Sequence, residues 1–167
     1  RTTPHLVEHD HSWFIVTQKM LEKEFALSGS EQNGDITNRK RLSLLRSRLG
    51  RGAPPEVEAF KRNGADFVVA DDLETLVGRM NGLTDRPLLD PGLIRSQVED
   101  RDAQMANPFT KDLQVMGIHN SRRALGDRLA RTAAPHRVLD PKAGPLIGVK
   151  LHILTRKSLG GLQTDLS

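Results

Sequence analysis

The chain of 167 residues has no cysteine, no tyrosine, one tryptophan and five phenylalanines. Without cysteine there is neither a disulfide nor thiolate chemistry, and no redox compartment is marked, which leaves the cytoplasm as the default expectation. So few aromatic rings mean a core built from aliphatic side chains, and no interleaved platform on which nucleic-acid bases would stack. No apolar run approaches the roughly 18–20 residues that a membrane-spanning helix needs, and no signal peptide is visible. Ser28, Ser30 and the histidines form no recognisable nucleophile arrangement with an acidic partner, so hydrolase chemistry is not expected.

What is present suffices for one core: 37% of the residues are apolar, and one compact domain is the default for this length. The net charge of +4 invites a phosphate-binding reading. Its richest cluster, Arg39 to Arg51, carries Leu42, Leu45 and Leu49 at i, i+3 and i+7, the pattern of an amphipathic helix with a solvated basic face. A small basic helical module binding nucleic acid or a protein partner is therefore the rival reading, and no nucleic-acid partner is expected.

Along the chain, residues 1–10 read as an irregular lead-in, Trp13 to Val16 as a strand and Lys19 to Phe25 as a short helix. Ser28 to Gly34 is turn-rich, and Ile36 to Leu49 reads as a helix ended at Gly50. Glu56 to Asn63 is a helix stopped by Gly64, and Phe67 to Ala70 is a run of strand formers. Asp71 or Asp72 caps the next helix, which ends before Gly82. Pro91 behind Asp90 starts a helix reaching about Met105, broken at Asn107-Pro108. Lys111 to Ile118 fits a strand or a loop, and Asn120 to Thr132 reads as one helix with Leu125, Leu129 and Ala130 inward. The class is α+β, helices dominating around a small sheet.

The C-terminal run is the most specific. Ile147, Val149, Leu151 and Ile153 alternate with Gly148, Lys150, His152 and Leu154, a half-buried strand with two different faces, and a cationic end leads into Gly160-Gly161. Lys150, His152 and Arg156 share one face by the period-2 rule. Paired glycines let a backbone lie close to a flat or anionic ligand. In isolation this edge would be open to pairing with another chain.

Gly144-Pro145-Leu146-Ile147-Gly148-Val149, then Arg156-Lys157-Ser158-Leu159-Gly160-Gly161-Leu162, then Thr164-Asp165, resembles the segment that returns from the capping domain to the flavin domain in the fumarate reductase and succinate dehydrogenase flavoprotein superfamily, which includes 3-ketosteroid dehydrogenases. Ser12 to Val16 resembles the cap strand of those proteins, Ala65 to Asn81 their strand, acidic turn and helix, and Gly92 to Asn107 the following cap helix. The resemblance implies a capping domain over residues 1–167, with 145–167 returning toward an FAD-binding domain of the same polypeptide. It also implies oxidoreduction of a carbon–carbon bond beside the carbonyl of a small-molecule substrate.

By the same resemblance, Lys157 and Arg156 stand where relatives place a histidine pair and are the candidate catalytic cations. His152 and Ser158 are candidate substrate contacts, as are His136 and Arg137, which sit together on a rigid Pro-flanked turn after a basic helix and are read from that turn as lining the substrate cleft, and Leu159, Gly160 and Gly161 are the candidate flavin contacts. The ketosteroid branch has a tyrosine on the strand where this chain has Leu146 and Ile147. No Gly-x-Gly-x-x-Gly turn exists to hold a pyrophosphate, so FAD is expected to be bound by parts outside this chain, which reads as an excised middle piece and is expected to be inert alone. His5, His9 and His11 have a spacing that a zinc ion accepts, yet no second shell is evident, and no metal is expected; a substrate-facing histidine is the alternative role there.

Overall fold

The computed structural model describes residues 11–25 and 52–152. Within them, strand β1 (His11–Thr17) runs without a loop into helix α1 (Gln18–Glu24). Thr17 makes that junction, its Oγ1 accepting the Met20 N–H at 3.2 Å. Helix α2 (Pro55–Asn63) opens on a proline and ends as the Gly64 N–H donates to the Phe60 carbonyl at 2.8 Å. Strand β2 (Phe67–Ala70) turns through Asp71 and Asp72 into α3 (Leu73–Asn81). Asp90 caps α4 (Pro91–Gln104), accepting the Leu93 N–H at 2.6 Å. Helices α5 (Leu113–Ser121) and α6 (Leu125–Ala130) and a short 3-10 turn, Pro141–Ala143, precede β3 (Leu146–His152). The described part is α+β: six helices around one open three-stranded sheet.

The last strand is the middle one. The order is β1-β3-β2, with both neighbours antiparallel to β3. The expected two-faced edge is thereby corrected: Leu146 to Val149 are buried on both faces, and the polar, partly open character begins only at Lys150. One face of the sheet, with Leu146, Trp13, Ile15 and Val68, packs under Leu76, Val77 and Met80 of α3. The other, with Ile147 and Val149, meets Leu21 of α1 and Val57 of α2. Fully burying a side chain such as Ile147 contributes roughly 1.5–3 kcal/mol.

Two glycines allow these layers to close. A Cβ on Gly148 would stand 2.9 Å from Met80 Cγ and 3.0 Å from Val68 Cγ2, so α3 sits this near the sheet only because residue 148 has no side chain. Gly144 has φ +83° and would place a Cβ 2.6 Å from that of Gln18. The Gln18 N–H donates to the Pro145 carbonyl at 3.1 Å, which docks the turn before β3 on the β1–α1 junction.

Two expectations fail between residues 111 and 132. From Leu113 the stretch Lys111 to Ile118 is neither strand nor loop but the start of α5, because Asp112 caps it, accepting the Val115 N–H at 2.8 Å. Asn120 to Thr132 is not one helix: the Arg122 N–H closes α5 on the Ile118 and Asn120 carbonyls, and α6 begins only at Leu125. Leu125 and Leu129 point outward, 60% and 54% exposed, rather than inward. The expected loop at 28–34 and helix at 36–49 lie outside the described residues.

Candidate functional site

Toward His152 strand β3 turns polar, where β2 has ended and β1 alone still pairs with it. Lys150 faces Trp13 across the β1 pairing, and its ammonium donates to the Leu83 carbonyl at 3.0 Å. That amine is tied to the end of α3 and is not a loose cation. His152, opposite His11, has its Nε2 2.9 Å from Asp66 Oδ1, and both side chains are about half exposed. His152 thus stands at the exit of the sheet, toward Arg156, Lys157, Ser158, Leu159, Gly160 and Gly161, which lie outside the described residues.

His136 and Arg137, read from sequence as neighbours in one substrate-lining turn, diverge. His136 is buried: its Nδ1 lies 2.7 Å from the Ala134 carbonyl and its Nε2 2.7 Å from Thr17 Oγ1. A carbonyl only accepts, so Nδ1 carries a proton, and Nε2 pairs with the Thr17 hydroxyl, which also accepts from the Met20 N–H. Nε2 pins the 134–139 segment to the β1–α1 junction, and Nδ1 braces the segment on itself. Arg137 is exposed, and its side chain has no partner among the described residues.

Sequence reading missed the group that organises this region. Asp102, on α4 and 5% exposed, accepts the Val138 N–H at 2.7 Å and the Leu139 N–H at 2.9 Å. Arg101 beside it donates from Nη1 to Asp102 Oδ1 at 2.9 Å and to the His136 carbonyl at 3.0 Å, and from Nε to Gln114 Oε1 at 3.2 Å. An Arg-Asp pair on a long polar helix carries no distinguishing sequence signal. Next to it, between α4 and the sheet, is a cavity of about 400 Å³ walled by Trp13, Ile15, Met80, Ile94, Val98 and Val138.

Among the described residues no group of three or more histidine, aspartate or glutamate side chains could hold a metal ion, and no helix is long and apolar enough to cross a membrane. His5 and His9 lie outside them.

A family model described as an FAD binding domain matches residues 4–167, and the chain belongs to that family. Among curated proteins it is 55% identical over 157 residues to a KsdD-like steroid dehydrogenase of Mycolicibacterium smegmatis, covering 94% of this chain and 28% of that protein. It is 53% identical over 158 residues to a KsdD-like steroid dehydrogenase of Mycobacterium tuberculosis, covering 95% of this chain and 28% of the relative. The chain thus spans little more than a quarter of the length of these relatives. No solved structure matches it.

The described residues do not fit the pyrophosphate of FAD. Dinucleotide phosphates rest on glycine N–H groups at a strand-to-helix turn, where the positive end of the helix dipole faces them. The β2–α3 turn here is Asp71-Asp72. Asp72 occupies the helix start itself, accepting the Thr75 N–H at 2.8 Å and the Thr75 hydroxyl at 2.7 Å, and these bonds hold its carboxyl below the ordinary carboxylate range. An ionised aspartate on those donors repels a phosphate. At β1–α1 the same place is filled by Thr17.

Proposed function

We propose that this chain is the capping segment of an FAD-dependent dehydrogenase acting on a carbon–carbon bond beside a carbonyl, with 145–167 leading back to the FAD-binding part of the same polypeptide. The observation that carries the reading is the pairing of a family match over residues 4–167 with strand-to-helix turns that hold aspartate and threonine where a dinucleotide needs glycine. Membership without a phosphate cradle is what a segment inserted into a flavoprotein has. The relatives are named steroid dehydrogenases, and a ring ketone is the substrate class carried over from them. Leu146 and Ile147, where the ketosteroid branch has its tyrosine, are buried in the central strand, so that position serves the core here.

The chain's own part in the reaction is to close over the substrate and keep water out. Lys157 and Arg156 would face the negative charge that develops on the carbonyl oxygen as the neighbouring proton leaves. If the extended period-2 pattern continues to these residues, the two face opposite sides and one of them meets the substrate. The test is made on the full-length protein. It should purify yellow with stoichiometric flavin, while residues 1–167 alone bind FAD weakly at most. Lys157→Ala should lower turnover of a ring ketone by about a hundredfold with flavin still bound, and Arg156→Ala should do so only if that side chain is the one facing substrate. Tight flavin binding by the isolated chain would overturn the capping reading. Unchanged turnover in both variants would remove the strand end from the active site.

A further inference from the structure

The cavity between α4 and the sheet combines apolar walls with one nearly buried charged group. Its walls are mainly apolar, and about 400 Å³ falls within the roughly 300–1,000 Å³ range of small-molecule sites. One charged group reaches it, Arg101, whose side chain is only 12% exposed. Three of the five guanidinium N–H bonds are spent on Gln114 Oε1, Asp102 Oδ1 and the His136 carbonyl. The two on Nη2 have no acceptor among the described residues. A nearly buried donor pair without an acceptor is costly unless something supplies one.

Those three bonds also fix the guanidinium. Asp102 is held in turn by two backbone N–H groups, and the His136 carbonyl belongs to the segment pinned to Thr17. The free fork of Nη2 is therefore set in place before any ligand arrives, which lowers the entropy lost on binding. Gln97 and Gln114 also line the cavity, and both are exposed, so they stand at its rim. Because Asp102 already balances the charge of Arg101, a neutral carbonyl suits the fork as well as a carboxylate does.

We propose that this cavity is a binding site for a small, mostly apolar molecule with one acceptor group, a carbonyl or carboxylate oxygen, which the Nη2 of Arg101 holds while the apolar body lies against Trp13, Ile15 and Val98. The site goes beyond the proposed capping role, since it is defined by binding and needs neither flavin nor turnover.

The test is calorimetric titration of the full-length protein with naphthoate, its methyl-ketone counterpart acetylnaphthalene, and plain naphthalene, with no electron acceptor present. Naphthoate and acetylnaphthalene should each bind at least about tenfold more tightly than naphthalene, the increment expected of one well-placed hydrogen bond. A preference for naphthoate alone identifies a carboxylate ligand, and equal binding of both a carbonyl one. Arg101→Lys keeps the charge and loses the Nη2 donors, and it should bring both down to the naphthalene level with flavin content unchanged, while the lost bonds to the His136 carbonyl and Gln114 lower its melting temperature. Should that variant fail to fold, Val98→Phe narrows the cavity without touching the polar network and should weaken binding of all three. Equal affinity for the three compounds, no binding of any, or full naphthoate binding in Val98→Phe would each overturn the proposal. A protein that binds naphthoate through Arg101 but reduces or oxidises nothing would keep this site and sink the dehydrogenase reading; the reverse result would do the opposite.

Discussion

The sheet layer and the α5–α6 layer are built from the same kind of residue and end in opposite environments. Around β3, Ile147, Leu21, Leu76 and Val77 are wholly buried. On α5 and just before it, Phe109, Leu113 and Met116 repeat at i, i+4 and i+7, yet Phe109 and Leu113 are 86% and 80% exposed. Only Val115 of α5 is buried. Apolar spacing defines a stripe; whether the stripe is core depends on an element opposite it. β3 has one on each face and on each edge.

The comparison breaks first at its best-packed point. Ile147→Ala should destabilise the 167-residue chain by about 2–5 kcal/mol in urea unfolding, through lost transfer energy and the cavity left between α1, α2 and the sheet. Asp102→Ala should cost about 3 kcal/mol, since it strands the Val138 and Leu139 N–H groups and the Arg101 guanidinium in a buried place. Gly148→Ala should cost about 1–3 kcal/mol by pushing Met80 off the sheet, and a smaller residue at 80 should relieve it. A smaller cost of Gly148→Ala in a Met80→Ala background would establish that contact as the cause.

Acid separates the layers more gently. Asp72 is held below its ordinary value of 3.8 chiefly by the Thr75 backbone N–H, and Glu74 below 4.5 chiefly by Arg95. Both are lowered in the folded chain, so the stability they add is complete above those ordinary values and is lost as pH falls through the lower folded ones. Acid below about pH 4.5 should therefore weaken the start of α3, and Asp72→Asn should flatten that part of the acid response, as hydrogen exchange at Thr75 would report. The smallest effect belongs to the outer layer: Leu113→Ser and Leu125→Ser should each move the chain's stability by no more than about 0.5 kcal/mol. A loss there as large as that of Ile147→Ala would erase the contrast.

The legible parts of the sequence were those whose signal is local. The Asp71-Asp72 pair and Asp90 announce their helices because a carboxylate before an apolar stretch has one obvious use, and Phe67 to Ala70 is a strand on propensity alone. Residues 111–132 misled because Val115, Gly117 and Ile118 argue against a helix that the Asp112 cap and packing of Val115 nonetheless favour. The central place of β3 was hidden for another reason: alternation tells which side chains share a face, not how many strands flank it. His136 read as a site residue because its Pro-flanked turn is polar, and its bond to Thr17 lies 119 residues away in sequence. Arg101 and Asp102 matter through carbonyls and amides of a distant segment, which no spacing rule encodes.

The placement of β3 also sets a timetable. Its partners β1 and β2 leave the ribosome well before it, and Thr17 waits about 130 residues for Leu146. At about 5–20 residues per second this is on the order of ten seconds, during which neither earlier strand has the neighbour that closes its hydrogen bonds. The sheet is assembled by insertion of a late strand between two early ones, a non-local closure of the slow kind. Until then the growing chain carries two unpaired strands whose apolar faces have no sheet to join, so the interval before residue 146 is when it most needs shelter from its neighbours.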